Sequence, residues 1–527
     1  MKSWWVVLQS KSLCGMKSKF EKFSWLLLIV IFLVGFWLRV RYLPQGVLTF
    51  GYDQARDAVH AVSISRGDLK ILGPSASTPG LYHGVFYYYL LAPAYALGHG
   101  NPVVVAYWIA FLNSLTVFIV FCLTLLMTKK TSAGLFSAFL FAISFEATQY
   151  ATWLSNPTIA VWTVPLMYLG LWLWTKTSKK YLGPVLTAVG LGMSIQAEIF
   201  LAYHLVPVFI WLGVNKKVVT KKQLLVALGV LGMSLSTLIA SEIKFGFKGL
   251  GGVRLLLSGG ESNLAYAKSL GDYFTLYLNQ IGRIFAFNSY PGNIGYGGAL
   301  VIVLALYFLF GRATKKESWP LFLALWLFSH LTVVTVGGTS TPFLMVGIGP
   351  AVSVVLGIFL WQLFDNNKRV IALVILGLLV WGNLNFIFKE NSRGATLFAI
   401  QKDMLLAKEL KLVEYTYQAS SGKEFTVNSL TSPLWMNIVW SYLYQWYGQK
   451  TYGYVPYFTG HDQVGQITAL PQRPKILDNH FLILEPMGGI PTRYLEETVA
   501  TENTRSILQE TQFWGELTVE KRTSFLN

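Results

Sequence analysis

The sequence predicts an α-helical polytopic membrane protein that ends in an α/β extracytoplasmic domain, and three observations carry that reading. Of 527 residues, 54% are hydrophobic and only 13% are charged, where a soluble domain carries roughly 25% charged residues. Apolar runs near the ~20 residues that a spanning helix needs recur from Ser24 to Phe388 and then stop. Up to Phe388 the chain holds 29 basic and 11 acidic residues, and beyond it 13 basic and 14 acidic. In a membrane chain, Lys and Arg in short loops mark the cytoplasmic side, so the formal charge of +17 is not a nucleic-acid footprint. Two cysteines, Cys14 and Cys122, exclude a disulfide framework and a cysteine-rich metal site.

The elements follow from placing every basic cluster inside. Those clusters are Lys11 to Lys22, Lys129-Lys130, Lys176 to Lys180, Lys216 to Lys222, Arg312 to Lys316 and Lys368-Arg369. No small-residue cleavage site follows the first apolar segment, so it reads as an uncleaved span with a cytoplasmic N-terminus. Spans are then expected at about 24–43, 102–128, 132–150, 157–175, 182–200, 201–215, 224–241, 298–311, 319–337, 342–363 and 370–388, about 11 in all. Phe86 to Leu97 is too short to cross and reads as a juxtamembrane helix at the outer surface. Residues 1–388 form the transmembrane domain, with outer loops at about 43–101 and 242–297. Residues 389–527 form the outer soluble domain, with helices at Ala395 to Tyr417 and Pro433 to Tyr447. Its strands are Glu424 to Leu430, His480 to Glu485 and Gly515 to Arg522.

This threading puts Asp53, Asp57, Asp68, Glu146, Glu198, Glu242, Glu261 and Asp272 on or near the outer side. A carboxylate in or near lipid is a functional candidate by default. In Gly51-Tyr52-Asp53-Gln54-Ala55-Arg56-Asp57, Asp53 opens a helical pattern with Arg56, Asp57 and His60 on nearby faces. A helix cap accounts for Asp53 equally well. Ser75 to Gly84, which includes Thr78, Pro79, Tyr82 and His83, leads into Tyr87-Tyr88-Tyr89; an interfacial turn and aromatic belt is the plain alternative. Gln149 to Pro157 holds Asn156-Pro157, which also reads as a helix start. Ser194 to Glu198 ends a span with Tyr203 and His204 beyond it. The chain has no phosphate loop with Lys, no zincin motif and no Ser-His-Asp signature.

An acid and an arginine after the first span, then a Pro-containing turn running into tyrosines, resemble the GT-C glycosyltransferases. The likeness is specifically to the protein O-mannosyltransferase and aminoarabinose transferase group (glycosyltransferase family 39-like). Two departures stand out: Gln54 replaces the second acid of the pair, and Thr78 replaces the basic residue often found before the turn. The resemblance implies a GT-C fold and transfer of a hexose or pentose from a polyprenyl-phosphate-linked donor lipid. The acceptor is a hydroxyl of a protein, lipid or glycan at the extracytoplasmic face, and the transfer inverts. It implies Asp53 as catalytic base, and Arg56, Tyr82, His83, Asn156 and Arg254 at the donor phosphate and substrate, with Arg39 and Arg41 as further candidate cations. No cofactor is required by that scheme; Glu198 with His83 or His204 offers a divalent-ion site at a spacing that is not diagnostic. A transporter or lipid-carrier flippase is the competing class, though inverted repeats and midplane acids are not evident. The absence of an Asn-x-Ser/Thr sequon leans toward a prokaryotic plasma membrane.

Overall fold

The computed structural model describes residues 18–76, 80–179, 181–257, 269–293, 295–300, 303, 318–332, 342–394, 401–461 and 468–525. Among them, four helices are long and apolar enough to cross a membrane: Phe23–Gln45, Pro102–Thr128, Asn156–Lys176 and Arg369–Arg393. Two further pairs qualify when each bent pair is one span. Thr131–Ala142 with Phe145–Thr152 bends by 51°, and Lys221–Ser234 with Ser236–Lys244 by 57°. Shorter apolar helices cover Leu182–Ala197, Ile199–Val214 and Gly349–Asp365. Expected spans 298–311 and 319–337 extend into residues outside the description. The remaining expected spans each coincide with one of these segments.

Why these helices hold together is visible in what they bury. Leu171, Trp211, Phe322 and Val352 belong to one apolar core among the membrane helices. Leu26, Leu33 and Trp37 of the first span point outward and stay exposed. Such a surface is a liability in water and an asset in lipid. Arg39, although 2% exposed, is fully committed to backbone and amide partners. Its Nε donates to Asn113 Oδ1 (2.7 Å), its Nη1 to the carbonyls of Gly35 and Ala142 (2.8 Å each), and its Nη2 to that of Phe141 (3.3 Å). It ties the first span to its neighbours and is therefore spent as a phosphate ligand. Arg41 lies over the rings of Trp37, Tyr42 and Phe388.

The Phe86–Leu97 helix forms as expected, with Tyr87, Tyr88 and Tyr95 buried. The 242–297 region is not the plain loop expected. It contains helices Lys248–Leu257 and Leu270–Asn288, the second burying Gln280 to Asn288.

Of the helix expected from Ala395 to Tyr417, residues 395–400 lie outside the described residues, 401–405 are not helical, and the helix runs Leu406–Ala419. A five-stranded sheet follows: β1 (Thr426–Leu430), β2 (Tyr457–Phe458), β3 (His480–Leu484), β4 (Ser506–Trp514) and β5 (Leu517–Ser524), in the order β2-β1-β3-β5-β4. β1 runs parallel to β2 and β3, whereas β5 is antiparallel to β3 and β4. β2, β4 and the helix Arg493–Asn503 were not foreseen; β4 is exposed along most of its length and lacks a clean alternation.

A second apolar core joins this part to residues 43–109. Leu48, Phe50, Tyr87 and Tyr95 share it with Leu412, Trp440 and Val519. Backbone bonds stitch the same joint: Phe50 N donates to Met404 O (3.1 Å) and Leu406 N to Leu48 O (3.0 Å). Tyr442 donates its hydroxyl to the Gly100 carbonyl at 2.5 Å. Gly100, at φ +87°, leaves room for the Trp446 ring, which a Cβ there would meet at 2.7 Å.

Candidate active site

Asp53 stands in the first turn of the Tyr52–Ser65 helix, immediately after the short stretch stitched to Met404 and Leu406. A helix N-terminus favours a carboxylate, since its free N–H groups and dipole attract negative charge. Gln54 explains its own departure from the acidic pair. Its Oε1 accepts the Gly51 N–H at 3.0 Å, closing the start of the helix, and its side chain is buried. A glutamine does this without adding a third charge.

Arg56 lies one turn on and bridges two carboxylates. Its Nη1 donates to Asp53 Oδ1 at 2.7 Å. Its Nε and Nη2 both donate to Asp57 Oδ1, at 2.9 and 2.7 Å. The three side chains differ sharply in exposure: Asp53 is 50% exposed, Arg56 12% and Asp57 1%. Asp53 therefore faces outward while Asp57 anchors the cation from beneath. Burial alone would make the Arg56 guanidinium less basic, but Asp57 and Asp53 outweigh it and push it well above its ordinary value. Asp57, placed on a nearby face by its spacing, is the residue to which sequence reasoning gave no role. With Gln54 at the usual second acid, Asp53 looked like the sole acid, although an acid next to Arg56 was visible in the sequence.

His83 and Glu198 do come together, with Nδ1 3.4 Å from Glu198 Oε1. The contact is not an ion pair. Burial, with Arg56 nearby, lowers His83 to about 4, so the ring is neutral at neutral pH. Its Nδ1 accepts the Ile199 N–H at 3.2 Å. With that nitrogen taken, His83 and Glu198 alone do not fit a metal ion. Among the described residues no group of three or more His, Cys, Asp or Glu gathers for one. His83 is held by a small hairpin in which its N–H reaches Pro74 O (2.8 Å) and Ser75 bridges Tyr82. Gly84 then packs so closely on Gln196 that a Cβ would fall 1.7 Å from its Oε1. Thr78 and Pro79 of the expected turn lie outside the described residues.

The other expected site residues are placed differently. Asn156 is buried and donates to the Ala197 carbonyl at 2.5 Å, so it fastens two apolar helices. Glu146 is likewise internal, accepting from Asn288 at 2.6 Å. Arg254 is exposed on the Lys248–Leu257 helix, whose first residue lies against the tip of the hairpin at Gly80. Tyr82 is half-buried in that hairpin. Two hollows stand out elsewhere, and neither is lined by Asp53 or Arg56. One is a small polar hollow between Arg39, Thr49, Gln149 and Asn391. The other is an apolar groove of about 370 Å³ between Leu27, Val34, Phe136 and Leu376.

No protein-family model and no curated protein sequence matches the chain. Among solved structures, ArnT from Cupriavidus metallidurans bound to undecaprenyl phosphate matches with a TM-score of 0.59 and 10% identity, over 96% of this chain and 98% of that one. The apo state of the same protein matches with a TM-score of 0.57 and 11% identity over the same shares. The Archaeoglobus fulgidus oligosaccharyltransferase matches at a TM-score of only 0.44 and 16% identity, over 82% of this chain and 62% of that one, a likeness too loose to argue from. The chain thus has the same overall fold as these ArnT structures along nearly its whole length.

Proposed function

We propose that the protein is an integral-membrane glycosyltransferase. It moves a sugar from a polyprenyl-phosphate-linked donor to an acceptor hydroxyl at the extracytoplasmic face, with inversion. The observation that carries this reading is the half-exposed Asp53 held 2.7 Å from Arg56 at the start of a juxtamembrane helix. The fold likeness to a protein crystallised with undecaprenyl phosphate supports the lipid class of the donor.

The chemistry follows from the charges. Asp53 takes the proton of the acceptor hydroxyl as its oxygen forms a bond to the anomeric carbon. The bond from that carbon to the phosphate oxygen breaks, and its electron pair leaves with the polyprenyl phosphate. Positioned proton transfer of this kind contributes about 10²–10⁴ in rate. Arg56 stabilises the phosphate by charge-assisted hydrogen bonds, so that departure needs no added proton. One displacement with no covalent intermediate inverts the anomeric centre. The acceptor is a protein, a lipid or a glycan. The residues beyond 388 stand outside a plasma membrane whose cytoplasmic face holds the N-terminus.

The test is transfer of radiolabel from a panel of polyprenyl-phosphate sugars by the purified chain and by Asp53→Asn. Activity in the first and its loss in a folded second supports the enzyme. Substrate flux in proteoliposomes with no transfer from any donor overturns it.

A further inference from the structure

We propose that Asp57 is a positioning residue for the donor: it fixes the guanidinium plane of Arg56 and, by holding or releasing one proton, sets the charge that Arg56 presents to a phosphate. This rests on the glycosyltransferase reading above, and it concerns a residue that the reaction itself does not use.

The geometry is asymmetric. One edge of the guanidinium, Nε with Nη2, converges on a single oxygen, Asp57 Oδ1. Asp57 is buried, and its second oxygen, Oδ2, has no hydrogen-bond partner among the described residues. A buried ionised carboxylate ordinarily satisfies both oxygens, because each bare one forfeits its hydration. The bare Oδ2 is where a proton is held at least cost. With Asp57 ionised, Asp53, Arg56 and Asp57 sum to one negative charge, which repels a phosphodiester of the same sign. With Asp57 protonated the three sum to zero, and Arg56 is left to share its charge between Asp53 and the incoming phosphate.

Among the groups on its own helix, the hairpin and the Phe86–Leu97 helix, Asp57 is the one that changes charge near neutrality. On its own helix, burial lowers His60 to about 4, with Lys70 and Arg56 adding to the effect, so that ring is neutral. His83, facing Arg56 from the hairpin, is neutral for the same reason. From the Phe86–Leu97 helix, Tyr87, Tyr88 and Tyr95 are all pushed up by burial and stay protonated. Asp68 pairs with Lys70 at the rim. Burial raises Asp57 to about 7 against the pull of Arg56, with Asp53 adding to the rise. Binding an anion beside it raises its proton affinity further, so donor binding takes up a proton.

The experiment measures binding of a polyprenyl methyl phosphodiester, whose charge is constant between pH 6 and 9, to the full-length protein in detergent. Wild-type affinity is expected to fall about tenfold from pH 6.5 to 8.5, with uptake of about one proton at pH 8, read as the dependence of binding heat on buffer ionisation. Asp57→Asn is expected to bind within about twofold across that range and tighter than wild type at pH 8.5, a gain that loss of packing does not produce. Wild-type binding that is flat with pH, or without proton uptake, overturns the proposal whether or not the variant folds. No binding by wild type at any pH overturns the glycosyltransferase reading along with it.

Discussion

The Glu502 and Asp57 clusters each place a buried carboxylate against a cation, and they are built to opposite ends. On the Arg493–Asn503 helix, against the C-terminal sheet, Glu502 accepts from Asn428 (2.6 Å) and from both Nε and Nη2 of Arg505 (3.0 and 2.5 Å). It also accepts from His480 Nε2 (3.0 Å), whose Nδ1 in turn meets Thr426 (2.9 Å). Both of its oxygens are occupied, and the cluster is sealed. At the start of the Tyr52–Ser65 helix, one arginine serves two acids, one of them half-exposed and the other with a bare oxygen. Burial raises Glu502, but the hydrogen bonds from His480 and Arg505 win and hold it below the ordinary carboxylate range. At Asp57 burial wins over the single shared cation. A satisfied cluster fixes a fold; an unsatisfied one at a surface is left able to exchange protons and anions.

The largest expected effect removes the outward-facing acid. Asp53→Asn is expected to lower kcat by about 10²–10⁴ while thermal unfolding stays within a few degrees of wild type. A large drop in unfolding temperature instead makes Asp53 a helix cap and erases the contrast. Next comes Glu502→Ala, which strands Arg505 and His480. Breaking a buried ion pair costs about 3–5 kcal/mol, so the unfolding midpoint should fall with little change in activity per folded molecule.

The two acids also predict opposite pH trends in stability. Glu502 has a lowered folded pKa, so its contribution is present above the ordinary carboxylate value and is lost as the pH falls through the folded one. Asp57 is raised to about 7, so the folded state binds the proton more tightly and its contribution fades as the pH rises from about 4 to about 7. Melting curves from pH 4 to 8 should therefore show Asp57→Asn gaining on wild type as the pH rises. Under the same series Glu502→Gln should lose least against wild type at the acid end. The smallest effect is at the joint between the two regions. Tyr442→Phe removes the bond to Gly100 O and should cost about 0.5–1.5 kcal/mol, read by thermal shift.

Much of this was legible in the residues, and the misses have physical causes. The first span, the Pro102–Thr128 span, the Phe86–Leu97 helix and strands β1, β3 and β5 follow from apolar length and alternation. The Asp53–Arg56 contact follows from a three-residue helical spacing. The role of Asp57 was missed because it depends on burial, and a spacing of one residue does not announce that two side chains meet. Asn156 and Glu146 were drawn toward the site because a polar residue in an apolar run looks functional, whereas each closes a backbone or amide contact between helices. Trp440, Tyr442 and Tyr444 are buried in packing, as expected of an aromatic run of this kind.

The joint between Leu48–Phe50 and Met404–Leu406 has a consequence for biogenesis. The acid-bearing helix rests on apolar partners supplied as late as Val519. A nascent chain therefore lacks the support beneath the Asp53 helix until residues as far along as Val519 have been added, so that helix reaches its final packing only after the C-terminal sheet is made.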